Sequence, residues 1–257
     1  MLERRSIASL CTRLSLCRGF ATNAHSSLAQ DMIELREYTI HPGSFSSFLQ
    51  LASKVKDLRG ELLPTMATLR CDLSSSMDLN SFVHMYRWRS HDHRDATRQR
   101  SGADPRWIAY LAEAKPMFAA QKSSIFKPAS GIMDTLGADP DPSATAERRL
   151  QLPMVEFRRY RLKAGYSTVP SALEAFEMAL PAKMDAARSA GVDHELELLA
   201  YTDVGRLNEL IEVWRFRKAS DSIRAREASR GVGVWRDCIA TLTELTETFD
   251  SSILYEA

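Results

Sequence analysis

Four short runs in this chain place groups able to bind a polar molecule or move a proton at every second position. They are Glu34, Arg36 and Tyr38; His84, Tyr86 and Trp88; Glu156, Arg158 and Tyr160; and Glu212 with Trp214. A spacing of two turns such residues to one face of an extended strand. Carboxylate, guanidinium, imidazole and aromatic rings on a shared face can line a small-molecule pocket, and His84 could act as acid or base near neutral pH. The same groups can instead form a Glu–Arg–His network that stitches two layers together. Breaking a buried charge pair costs about 3–5 kcal/mol, so such a network persists without any catalytic duty. The second reading is the ordinary one for buried ionic groups.

The elements that must position these runs occur twice. Met32–Gly43 (MIELREYTIHPG) is echoed by Val155–Gly165 (VEFRRYRLKAG), and Phe82–Trp88 by Leu210–Phe216. Trp107 is matched by Trp235 and Ile125 by Ile253, at one offset of roughly 128 residues, as in a tandem duplication. In the first unit Ile33–Ile40 alternates as a strand, ended by His41-Pro42-Gly43. Ser44 can cap a helix that carries Phe45, Phe48, Leu49, Ala52, Val55 and Leu62 on its apolar face. Strands follow at Thr65–Leu73 and Ser81–Arg89, then a helical region over His91–Lys122 and a short strand at Ser124–Phe126. The second unit repeats the order, with strands at Val155–Leu162, Glu195–Tyr201, Leu210–Arg217 and Ser252–Leu254. Its first helix runs to Ser189, where Gly191 suits the C-terminus, and Pro181 should kink or split it.

The order is β-α-β-β-α-β in each unit, the ferredoxin-like or split-βαβ arrangement. Unit one spans residues 31–128 and unit two 153–257, with a Gly-, Pro- and Asp-bearing linker at 129–152. Helices then cover one face of each sheet. Ile33 and Leu35 are expected to face the helices, leaving Glu34, Arg36, Tyr38 and their counterparts between the two sheets.

Composition narrows the function. The 257 residues carry 34 basic and 33 acidic side chains, a net charge of +1, which gives no electrostatic case for nucleic acid. The four cysteines show no metal-ligand spacing, so reduced thiols are expected. Residues 1–25 hold Arg4, Arg5, Arg13 and Arg18 against one acid, Glu3, the make-up of a mitochondrial transit peptide. No stretch is long and apolar enough to span a membrane. His91-Asp92-His93 lacks a third ligand at helical spacing and reads as a solvated turn in which Asp92 serves the helix start. The run Arg94–Arg106 reads as an exposed helix face. Phosphate loops, nucleophile elbows and H-E-x-x-H motifs are absent.

These residues resemble the NIPSNAP family. The matching pieces are ELREYTIHPG at Glu34–Gly43, FVHMYRWRSHDHR at Phe82–Arg94, Trp107, and SSIF at Ser123–Phe126. The resemblance implies a dimeric α+β barrel, here formed within one chain as a pseudo-dimer, and residence in mitochondria, most simply the matrix. On this reading the chain is a non-enzymatic binding or scaffold protein acting on other mitochondrial proteins, within a larger mitochondrial assembly or as a quality-control factor. No cofactor or metal is expected, and there is room for homo-oligomers. Some relatives are linked to marking damaged mitochondria for autophagy. The alternative is a small-molecule carrier or cofactorless enzyme using the pocket between the sheets. One departure stands out: His84 fits the family's strand motif, whereas its second-half counterpart is Glu212.

Overall fold

The computed structural model describes residues 31–138 and 148–257. The leader at 1–25 and the middle of the 129–152 segment lie outside them. The first half runs β1 (Met32–Ile40), a 3-10 turn at Pro42–Ser44, α1 (Phe45–Lys54), α2 (Lys56–Leu62), β2 (Thr65–Ser74), β3 (Ser81–Trp88), α3 (His91–Ala103), α4 (Pro105–Ala114) and β4 (Phe118–Pro128). The second adds α5 (Ser130–Thr135), β5 (Met154–Leu162), α6 (Thr168–Ser189), β6 (His194–Val204), β7 (Glu209–Phe216), α7 (Ala219–Arg230), α8 (Gly233–Leu245) and β8 (Thr246–Glu256). The eight antiparallel strands close into one barrel in the order β1-β3-β2-β8-β5-β7-β6-β4. This is a mixed α+β fold with helices outside the barrel.

Closure is made by β2 on β8, with Arg70 opposite Tyr255, and by β4 on β6, with Phe126 opposite Thr202. Each of β4 and β8 is therefore an eleven-residue strand, not the three-residue pieces expected at Ser124–Phe126 and Ser252–Leu254. Their exposed starts carry no apolar alternation, yet they ladder along β1 and β5. Backbone pairing forms those residues into strands without any side-chain signal.

The interior of the barrel reverses one expectation. Ile33 and Leu35 do not face the helices. They pack with Val83, Met85, Val155, Phe157, Ile211 and Val213 in a buried cluster drawn from strands of both halves. Only strands line a closed barrel, so its dry centre takes the apolar alternate set. The helix-facing side instead takes Glu34, Arg36 and Tyr38, because helices can bring counter-charges to it. Two further clusters fill the sheet–helix layers. One gathers Phe48, Phe82, Tyr86, Trp88, Trp107 and Tyr110, the other Phe176, Leu210, Trp214, Phe216, Trp235 and Leu242.

Ion pairs close the barrel interior at its ends. Arg159 reaches Glu37 at 2.9 Å and Glu209 at 3.2 Å. Arg215 reaches Glu197 at 2.7 Å and Glu256 at 2.6 Å.

Local chemistry sets the helix limits. Gly191, at φ +69°, ends α6: its N–H bonds to Arg188 O at 2.9 Å and the N–H of Val192 to Ala187 O at 3.0 Å, the paired bonds of a left-handed helix terminus. Pro181 does not split α6, which runs unbroken for 22 residues; the buried neighbours Ala179, Leu180 and Met184 hold the helix across one lost N–H bond. Ser44 stands at the start of α1 but makes no side-chain bond there. The start of the expected linker is not featureless, since α5 buries Ile132 and Met133 in the second-half core. Cys71 and Cys238 are buried and free.

Candidate functional site

In the first half the outer face of β1 presents Glu34, fully buried. Its carboxylate accepts from Trp88 Nε1 at 3.0 Å, Ser123 Oγ at 2.9 Å, Arg94 Nη2 at 2.9 Å and Arg98 Nη2 at 2.9 Å. Arg36 Nε lies 3.1 Å away. Arg94 and Arg98 are one turn apart on α3, so both reach the same acid. Burial alone would raise the pKa of Glu34; the hydrogen bond from Arg94 and the charge of Arg98 outweigh it and lower the carboxyl to about 2. The stretch Arg94–Arg106 is therefore not simply an exposed face: two of its arginines turn inward. Ser90, not Asp92, caps α3, accepting from the N–H of His93 at 3.1 Å.

His84 stands opposite Arg36 on β3, with its Nδ1 at 3.3 Å from Thr68 Oγ1 and its ring against Tyr38 and Phe82. Burial, followed by the positive charges of Arg59, Arg36 and Arg98, holds its pKa well below the usual histidine value. It is a neutral imidazole at physiological pH, not the near-neutral acid–base group the sequence suggested. Beside it lies a cavity of about 190 Å³ whose walls include Arg36, Tyr38, Arg59, Tyr86, Arg98 and Trp107.

The second half builds a different network on the matching face. Glu212, opposite Arg158 in the β5–β7 ladder, accepts from Lys183 Nζ at 2.6 Å, Trp214 Nε1 at 2.6 Å and Tyr160 Oη at 2.7 Å. Burial would raise its pKa, but Lys183 and Arg158 lower it to about 2. Lys183 is itself lowered to about 8, burial outweighing the attraction of Glu212. Next to this network, Glu156 Oε1 accepts from Arg158 Nε at 3.0 Å and Ser251 Oγ at 3.2 Å. Glu156 Oε2 is buried without a hydrogen-bond partner among the described residues.

Glu156 and Arg158 line a cavity of about 490 Å³ between the sheet and helices α7 and α8. Tyr160, Trp235, Ile239, Leu242 and Phe249 give it an apolar body, and Arg226 and Arg230 stand on its wall.

Every sequence-predicted site residue lies between sheet and helices, not between the sheets. Glu34, Arg36, Tyr38, His84, Tyr86 and Trp88 gather in one layer; Glu156, Arg158, Tyr160, Glu212 and Trp214 gather in the other. The apolar barrel core separates the two sets. Sequence reasoning missed Arg59, Lys183, Arg94, Arg98 and Arg226. A signal existed for the first two, since each is a single cation in an otherwise apolar helical stripe, Phe48–Ala52–Arg59 and Phe176–Leu180–Lys183. Among the described residues no group of acids, histidines and cysteines is arranged to hold a metal ion.

The fold and these two layers define an α+β barrel protein with pockets under its helices. Residues 33–131 match the NIPSNAP family model. A NIPSNAP domain protein from Burkholderia xenovorans is 28% identical over 38% of this chain and 94% of its own, with a TM-score of 0.34. Two longer matches share the fold. An anthrone oxidase-like protein is 13% identical over 90% of this chain and 93% of its own, at a TM-score of 0.58. A candidate monooxygenase from Lactobacillus acidophilus is 12% identical over 88% and 93%, at 0.53. No curated protein matches the chain.

Proposed function

We propose that this chain is a small-molecule-binding protein whose principal site is the cavity of the second half. The observation that carries the reading is Glu156 Oε2, a buried acceptor without a donor on a residue lining a space of about 490 Å³. Leaving a buried acceptor unmet costs about 1–3 kcal/mol, more when it is charged. A ligand N–H or O–H would remove that cost. The volume falls within the range of about 300–1,000 Å³ common to ligand pockets, and the walls call for an apolar body with one hydrogen-bond donor. The scaffold role rests on family resemblance alone, whereas the cavity is a physical feature of this chain.

The two halves read as ferredoxin-like units related by duplication. Strands β4-β1-β3-β2 and β8-β5-β7-β6 follow the same order, and Ser123 and Ser251 donate to Glu34 and Glu156 alike. The basic leader supports residence in the mitochondrial matrix; deleting residues 1–20 should then leave the protein in the cytosol.

The test is native mass spectrometry on protein purified from cells that make it naturally, beside a Thr243→Trp variant that fills the cavity mouth from an exposed helix position. Extra mass of a small molecule on the wild type, absent from the variant at unchanged melting temperature, is the expected result. A ligand-free wild type that arrives instead with stoichiometric protein partners would overturn the reading in favour of a scaffold.

A further inference from the structure

The first half holds a buried cation at the place where the second half pairs one with a carboxylate. In the second half Lys183 lies 4.3 Å from the centre of the Trp235 ring and donates to Glu212 at 2.6 Å. In the first, Arg59 of α2 sits against Trp107, 5.0 Å from its ring centre. The register of the strands shows what has been exchanged. Glu212 stands opposite Arg158, and the residue opposite Arg36 is His84. The position that supplies a carboxylate in one half supplies a neutral ring in the other.

Arg59 is 4% exposed. Its side-chain hydrogen bonds among the described residues go to two phenols, Tyr86 Oη at 2.8 Å and Tyr110 Oη at 2.7 Å. A guanidinium offers five N–H donors and stays charged in proteins, so the two phenols satisfy part of its donors and none of its charge. Arg36 and Arg98 line the same cavity of about 190 Å³, and Arg98 Nε is buried without a hydrogen-bond partner among the described residues. The acid nearest to them, Glu34, is already shared among Arg36, Arg94 and Arg98. Tyr38, Trp107 and Phe118 supply flat apolar walls.

We infer that this first-half cavity is a binding site for a small organic carboxylate, which takes the place that Glu212 fills in the second half. Arginine forks match a carboxylate with two parallel hydrogen bonds, and the aromatic walls favour a flat apolar body over a bare inorganic anion. The inference does not depend on the larger cavity.

The experiment is calorimetric titration of the full chain with sodium benzoate. Benzyl alcohol serves as the same shape without charge, and sodium phosphate as charge without a ring. All titrations are repeated on Thr243→Trp, so that the second-half cavity cannot contribute. Benzoate is expected to bind at least tenfold more tightly than either control, and Arg59→Met to weaken it at least tenfold. If Arg59→Met does not fold, Arg59→Lys keeps the charge and removes the fork, and should also weaken benzoate. Failure of the wild type to bind benzoate, equal binding of benzyl alcohol or phosphate, or unchanged binding in the Arg59 variant that folds would overturn the inference.

Discussion

In the first half the charges that meet the buried acid Glu34 come from the edge of the layer. Arg36, Arg94 and Arg98 keep 18–25% of their side chains in solvent. In the second half, the charges that meet Glu212 come from inside: Lys183 and Arg158 are each 7% exposed. Two layers on one barrel thus place a carboxylate on the same sheet face with opposite access to water. The difference matters when a partner is lost. A guanidinium at the edge can swing into solvent, whereas a buried ammonium cannot, so the second network is the more costly to break.

The largest effect should therefore follow Glu212→Gln. It takes from the buried Lys183 its paired carboxylate and leaves Arg158 with Glu156 alone, and urea unfolding should show a loss of about 3–5 kcal/mol. Glu34→Gln removes charged hydrogen bonds whose donors can rehydrate, and should cost about 1.5–3 kcal/mol. Equal losses would break the contrast between the two layers.

A smaller effect separates the halves by pH. The pKa of His84 is lowered in the folded protein, so the unfolded chain takes up the proton first, near the ordinary value of about 6.5. Stability then falls as pH drops below about 6.5, by about 2 kcal/mol on reaching pH 5. His84→Gln should remove most of that slope. The carboxylates behave differently: with Glu34 and Glu212 lowered to about 2, their contribution is lost only as pH falls from about 4.5 toward 2. A slope between pH 7 and 5 that survives His84→Gln would put its source elsewhere, with His194, also lowered mainly by burial, the next group to test.

The strands β1, β3, β5 and β7 and most helices were legible because their patterns are local, whereas most of β4 and β8 was not, since their outer residues pair without a side-chain signal. The alternation of Ile33, Leu35 and Arg36 marks a strand whatever it packs against. Which face of that strand turns to the helices was not legible, because it depends on what closes the barrel. With β2 on β8 and β4 on β6, the apolar set fills the centre, and Glu34 and its neighbours turn outward to cations on helices distant in sequence. The same non-local step hid Arg59 and Lys183, whose partners stand on strands. Strand alternation marks the acids and rings of both sites; the helical cations that decide their chemistry come only with the fold.

The smallest effect tests the contact that joins the halves. Glu37 of β1 and Arg159 of β5 share the mouth of the barrel interior, Arg159 donating at 2.9 Å and also lying 3.2 Å from Glu209 of its own half. Because Arg159 has this second acid, removing Glu37 does not leave it unpaired. A double-mutant cycle with Glu37→Gln and Arg159→Met should give a coupling of about 0.5–1 kcal/mol, the low end for neighbours in one network. Repeating the cycle in Glu209→Gln should raise the coupling, since Arg159 then loses its second ion-pair partner and leans more on Glu37. A coupling that stays unchanged would mean the halves are held by their other contacts: the apolar centre, the backbone ladders and the Lys127–Asp203 pair. The ion pair would then follow from barrel closure without reinforcing it.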